Sequence, residues 1–195
     1  MGATAVYQLP YPAPADPADV PLDMQELAER IEAVVGPGSA NGQVPIWDNA
    51  AKKWVAGSAE LAYVEFTAQV VVTQTVEASA TTIVTAPAQT FDGATPIVVE
   101  FFSPTINPSG TANQILILSL WDGGTQIGRI GLFGPGATAT TLSVPARVER
   151  KLTPSSGSHT YSIRAHNAVA GSSSVWAGTG VGTANVPGFI RLRRA

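Results

Sequence analysis

The chain has 195 residues, 45% of them apolar and only 13% charged, about half the usual charged share. With 19 Gly, 15 Pro and no Cys, it favours turn-rich β structure and excludes disulfides, cysteine-ligated metals and thiol catalysis. The net charge of −3 is polarised: residues 1–100 carry 12 acids and 3 bases, residues 101–195 carry 2 acids and 8 bases, so the halves either face different partners or carry solvated faces.

Residues 1–21 contain prolines at 10, 12, 14, 17 and 21. Proline fixes φ and removes a donor, so an extended arm is expected here. Tyr7, Leu9, Tyr11 and Pro12 would anchor it in a groove of another protein; a free tail is the alternative. Residues 22–36 read as a short amphipathic helix, capped by Asp16 or Asp19, acidic at its start and stopped by Gly36-Pro37-Gly38. Met24, Leu27, Ile31 and Val34 form an a/d seam nearly two heptads long. A helix this short does not stand alone in water, so it either docks on a neighbour or packs with its own copies as a three-helix stem. Residues 37–58 form a linker and a β-hairpin, with Trp47 and Trp54 as cross-strand neighbours.

From residue 59 to 195 the pattern is of strands and turns, eight or nine in number, with no helical period. Alternation is clear at 64–72, 142–148 and 161–165, and Asp122-Gly123-Gly124 marks a hairpin turn. The expected fold is mainly β: an antiparallel jelly-roll β-sandwich head of residues 59–195, preceded by the arm, the helix and the hairpin. Stretches 97–102 and 115–121 are apolar on both faces. An outer strand of a lone sandwich is wet on one face, so Val98, Phe102, Leu116, Leu118 and Leu120 are expected to meet other copies at a trimer interface.

Chemistry-bearing patterns are sparse. His159 and His166, read as lying on one strand, would point to opposite faces and so would not chelate one metal. There is no Gly-x-Ser-x-Gly elbow and no recognisable Ser-His-Asp context. Asp122 has no neighbouring carboxylate for calcium. Glu60, Glu65, Glu77, Asp92, Glu100, Asp122 and Glu149 form no glycosidase motif. No enzyme activity, cofactor or metal is expected. Trp121 and Trp176 border loops; they either contact a glycan or lie in the core. No basic run with interleaved aromatics points to nucleic acid. No apolar run approaches the ~20 residues of a membrane span, and no leader is seen.

Three stretches resemble known proteins. Tyr7-Gln8-Leu9-Pro10-Tyr11-Pro12, with Asp16-Pro17-Ala18-Asp19-Val20-Pro21 and an acidic helix, resembles the opening of small structural proteins of actinobacterial tailed phages. Gly42 to Asp48 with Lys53-Trp54-Val55 resembles the hairpin joining stem to head in phage fibres. Ser158 to Ala165 and Val186 to Leu192 are similar to the last strands of phage jelly-roll heads, which share architecture with trimeric tumour necrosis factor domains. The resemblance implies a homotrimeric virion protein, a tail fibre or minor tail protein for host adhesion or a capsid head-fibre or decoration protein. Its partners would be itself, another virion protein through the arm, and a host receptor or glycan. A glycan-degrading spike is the remaining alternative. The expected location is the particle surface, after assembly in the host cytoplasm.

Overall fold

In the computed structural model, residues 2–3, 10–11, 20–35, 43–48, 53–135, 142–180 and 183–195 are described. They fall into two compact units, Met1–Ala59 and Glu60–Ala195. In the first, β1 (Gly2–Ala3) pairs with β2 (Pro10–Tyr11), α1 spans Val20–Val35, and β3 (Val44–Asp48) pairs with β4 (Lys53–Gly57). The alternation of 44–48 places Trp47 opposite Trp54, their rings edge-on with centroids 5.5 Å apart, a packing that favours aromatic cross-strand pairs.

The second unit contains β5 (Glu60–Phe66), β6 (Val70–Val72), a 3₁₀ turn (Glu77–Ser79), β7 (Thr81–Thr85), β8 (Gln89–Asp92), β9 (Ile97–Asn107), β10 (Leu116–Asp122) and β11 (Thr125–Phe133). It continues with β12 (Val144–Leu152), β13 (Ser156–His159), β14 (Tyr161–Asn167), β15 (Ser173–Trp176), β16 (Thr179–Gly180), β17 (Thr183–Ala184) and β18 (Gly188–Arg194). One sheet runs β11-β10-β14-β7; the other runs β5-β18-β9, with β12 on the free edge of β9 and β15-β6 extending it. Take the long strands in chain order: β5, β7, β9, β10, β11, β12, β14, β18. The first, eighth, third and sixth then share one sheet, and the second, seventh, fourth and fifth share the other. That order is the jelly roll. Asp122 pairs with Thr125 across a two-residue loop, where Gly123 takes φ +53°, as a tight hairpin turn requires.

The core lies between the sheets. Val99, Phe101, Ile190 and Leu192 of one sheet meet Leu116, Leu118, Leu120, Ile163 and Ala165 of the other. This corrects the proposed trimer interface. Leu116, Leu118 and Leu120 are on the inward face of β10 and are buried within the chain itself, as is Val98 on the outer face of β9. They have no surface left to offer a second copy; only Phe102 remains half-exposed. The second apolar face exists, but the chain covers it. On β10 it is Ile117, Ser119 and Trp121 that point outward, and all three are buried as well.

On the outer face of β9, Glu100 is completely buried. Arg147 of β12 donates from Nε to Oε1 at 2.8 Å; Arg191 of β18 donates from Nε and Nη2 to Oε2 at 3.0 and 2.5 Å. Burial alone would push the Glu100 carboxyl up; the two guanidiniums outweigh it and hold the group below its usual range, so its contribution to stability is present above about pH 4.5 and lost as acid titrates it. Arg191 is 33% exposed and Arg147 71%, so the two contacts differ in solvent screening. Arg191→Met is expected to cost about 2–3 kcal/mol, because it strips a buried carboxylate of its bidentate partner. Arg147→Met should cost under about 1 kcal/mol. Urea unfolding of both variants checks this; equal losses would contradict the asymmetry.

Candidate functional site

Besides the Glu100 cluster, two polar clusters and a cavity of the second unit bring chemistry-bearing groups together. The first cluster joins three chain segments. Asp122 ends β10, His159 ends β13 and Ser155 lies just before it. His159 Nδ1 is 2.5 Å from Asp122 Oδ2, and His159 Nε2 is 3.2 Å from Ser155 Oγ. Asp122 Oδ1 also accepts the Thr160 backbone N–H, and the imidazole stacks on Tyr161 and tilts against Phe91. The connectivity is that of a nucleophile, base and orienting acid, which motif reading missed because the residues come from separate segments in the order Asp, Ser, His.

Which way these bonds run depends on the protons of the ring. Nε2 also lies 3.0 Å from the Ser155 backbone carbonyl, which can only accept. With Nδ1–H donated to Asp122, a neutral ring leaves Nε2 a lone pair that accepts the Ser155 hydroxyl, whereas a doubly protonated ring donates from Nε2 to the carbonyl. In either form the imidazole ties the β10–β11 turn to the loop before β13. Neither Ser155 nor His159 lines the cavity at the end of the sandwich, and a fluorophosphonate probe is expected to leave Ser155 unlabelled; a phosphonylated Ser155 found by mass spectrometry would overturn this.

The second cluster covers the outer face of the β11-β10-β14-β7 sheet. The segment from β6 to β7 carries the 3₁₀ turn, whose Glu77 accepts from Gln126 Nε2 at 2.6 Å and from Arg129 Nε at 3.0 Å. Gln126 also donates to the fully buried Ser119. Arg164 lies 4.5 Å above the Trp121 ring and donates to the Gly123 carbonyl. His166 is buried on the same face, and its Nδ1, like Trp121 Nε1, has no partner among the described residues. Hydrogen bonding to Arg129 holds the Glu77 carboxyl below its usual range, and burial holds His166 below 6.5.

The sign of the pH effect follows. A histidine that resists protonation when folded binds protons first in the unfolded chain, so its contribution is intact above pH 6.5 and is lost as pH falls below it. Glu77 adds a loss below 4.5. Thermal melts of the native chain should decline from pH 6.5 downward, and His166→Gln should flatten that decline; an unchanged slope would rule out His166 as its source.

The sequence-expected site residues fare unevenly. Tyr7, Leu9 and Pro12 lie outside the described residues, and so does the side chain of Tyr11 in β2. Met24, Leu27 and Ile31 share one side of α1 and are exposed at 66%, 37% and 46%; the Val34 side chain lies outside the described residues. Trp121 is not a loop aromatic free to stack on a sugar: it is 6% exposed beneath Arg164. Trp176 is half-buried and donates to Ser174 Oγ at 2.7 Å. His159 and His166 lie on different strands, β13 and β14, because the chain turns at Thr160. Among the described residues no group of three or more metal-ligating side chains converges, and no helix is long and apolar enough to cross a membrane.

The fold and these clusters define a jelly-roll β-sandwich unit whose outer faces are largely covered by its own side chains. No protein-family model and no curated protein matches the chain. Solved structures similar to it include the infectious bursal disease virus VP2 subviral particle, with TM-score 0.33 and 11% identity over 82% of this chain and 46% of that chain. The same virus's Gt strain follows, with TM-score 0.24 and 14% identity over 82% and 46%. The chain thus spans about half the length of the structures it matches.

Proposed function

We propose that this chain is a structural component of a virus particle, a homotrimeric spike of a tailed phage that is held by its N-terminal segment and presents its jelly-roll unit for attachment to the host surface. The observation that carries this reading is the bare seam of α1. Met24, Leu27 and Ile31 recur at helical spacing and are exposed at 66%, 37% and 46%. A 16-residue helix is marginal alone in water, and three such seams around one axis bury each other. Exposed apolar side chains of the second unit, such as Tyr63, Val71 and Leu132, come from separate strands, whereas those of α1 recur along one helix. The role is binding and assembly, with three copies converting weak contacts into avid attachment. A capsid head fibre uses the same architecture and differs only in what the N-terminal segment docks onto.

Light scattering on the purified full chain should report three chains, and Leu27→Glu with Ile31→Glu should shift it to one while leaving the β-rich circular dichroism intact. A native monomer at micromolar concentration, or a double variant that stays trimeric, would sink the stem.

A further inference from the structure

A cavity of about 130 Å³ opens at one end of the sandwich, where β8 meets the start of β9 and the end of β18. Its walls are of two kinds. Leu61 and Ile97 supply apolar surface, and Gln89, Thr90, Asp92 and Arg194 supply polar groups. Arg194 is opposite Ile97 in the ladder, and its Nε is sealed from solvent with no acceptor among the described residues. The other arginines of β18 behave differently: Arg191 and Arg193 are both paired with carboxylates.

Asp92 does not pair with Arg194. Its Oδ1 accepts the backbone N–H groups of Ala94 and Thr95, and its Oδ2 accepts the Thr95 hydroxyl at 2.7 Å. These bonds hold its carboxyl at about 2, so it is ionised whenever the protein is folded near neutral pH. The cavity therefore contains one fixed negative and one fixed positive group that do not neutralise each other, beside an amide and a hydroxyl. An anion would meet Asp92, and a cation would meet Arg194. A neutral polyol suits both: each hydroxyl accepts from a guanidinium and donates to a carboxylate lone pair or an amide oxygen, and the C–H face of a sugar ring covers apolar walls.

The geometry points to this cavity as a binding site for the edge of one neutral pyranose, the terminal residue of a host-surface glycan. The volume is below the several hundred Å³ of a site that engulfs a drug-sized ligand, so it takes part of one ring rather than an oligosaccharide. Its biological sense rests on the attachment reading above; its chemistry does not. Single-site affinity of this kind is weak, on the order of millimolar, and three copies would compensate.

The test is saturation-transfer NMR on the full chain. The probes are methyl glycosides of glucose, galactose, mannose and N-acetylglucosamine, with glucuronate and acetate as anionic probes. At least one neutral glycoside should receive saturation at its ring protons, and Arg194→Met should weaken that binding at least tenfold. Gln89→Ala should weaken it less. Circular dichroism melts of both variants establish that they fold. Transfer to none of the neutral glycosides would overturn the site. Preference for glucuronate and acetate would overturn its neutral character, and undiminished binding by a folded Arg194→Met would overturn its location. Light scattering on the same samples separates the two readings: a sugar-binding monomer defeats the spike and leaves the site, whereas a trimer that binds no sugar defeats only the site.

Discussion

A strand that is apolar on both faces must be covered twice, and the fold is organised around how this chain supplies the second cover. The inner cover is the opposite sheet, as in any sandwich. The outer cover is not another apolar layer. Over β9 it consists of the Arg147 and Arg191 side chains converging on Glu100, with Phe102 and Phe189 packed ring to ring at 5.5 Å beside them. Over β10 it consists of the Glu77 turn, Arg129, Gln126 and Arg164. Long charged side chains lay their methylene stems on apolar surface and keep their heads hydrogen-bonded. They can therefore close a face within one chain where symmetry-related copies would otherwise have to.

This explains what the sequence made legible and what it hid. Period-2 alternation and the Gly-rich turns located most of the long strands, and the jelly-roll expectation matches the strand order. The Asp122-Gly123-Gly124 turn and the Trp47–Trp54 pair were legible because both are local. The face assignment was not. In 115–121 every position is apolar or small, so nothing in the pattern distinguishes Leu118, which points inward, from Ile117, which points outward. That choice is made by register with β14 and β11, a non-local fact. β8 and β13 were likewise hidden, since Gln89–Asp92 and Ser156–His159 contain almost no apolar residues and are strands only because they pair with each other.

The charge asymmetry also changes meaning. Split at residue 100, the chain looks like an acidic stem and a basic head. Split at the boundary between its compact units, the first holds 7 acids and 3 bases and the second 7 acids and 8 bases. Most of the apparent basic excess is the distance in sequence between partners: Glu77 pairs with Arg129, Glu100 with Arg147 and Arg191, and Glu149 with Arg193. The jelly-roll unit is nearly neutral, and Arg129, Arg147, Arg191 and Arg193 are paired with its own carboxylates. An electrostatic argument for an anionic partner of this unit therefore has little charge left to rest on.

With both faces closed by hydrogen-bonded side chains, the faces are poor places for recognition. A partner would have to break pairs such as Arg191–Glu100 to gain contacts, and stripping a buried carboxylate of its cation is costly. The ends of the sandwich are different. There the ladders stop, and buried polar atoms of Asn107 at the end of β9, of Gln114 beyond it and of Arg194 beside its start are without partners; among the described residues the others are Trp121 Nε1 and His166 Nδ1, under the outer cover of β10 and β14. Of these, only Arg194 lines the described cavity. A jelly roll whose charged residues cover its own sheets can take a ligand at an end without breaking those pairs.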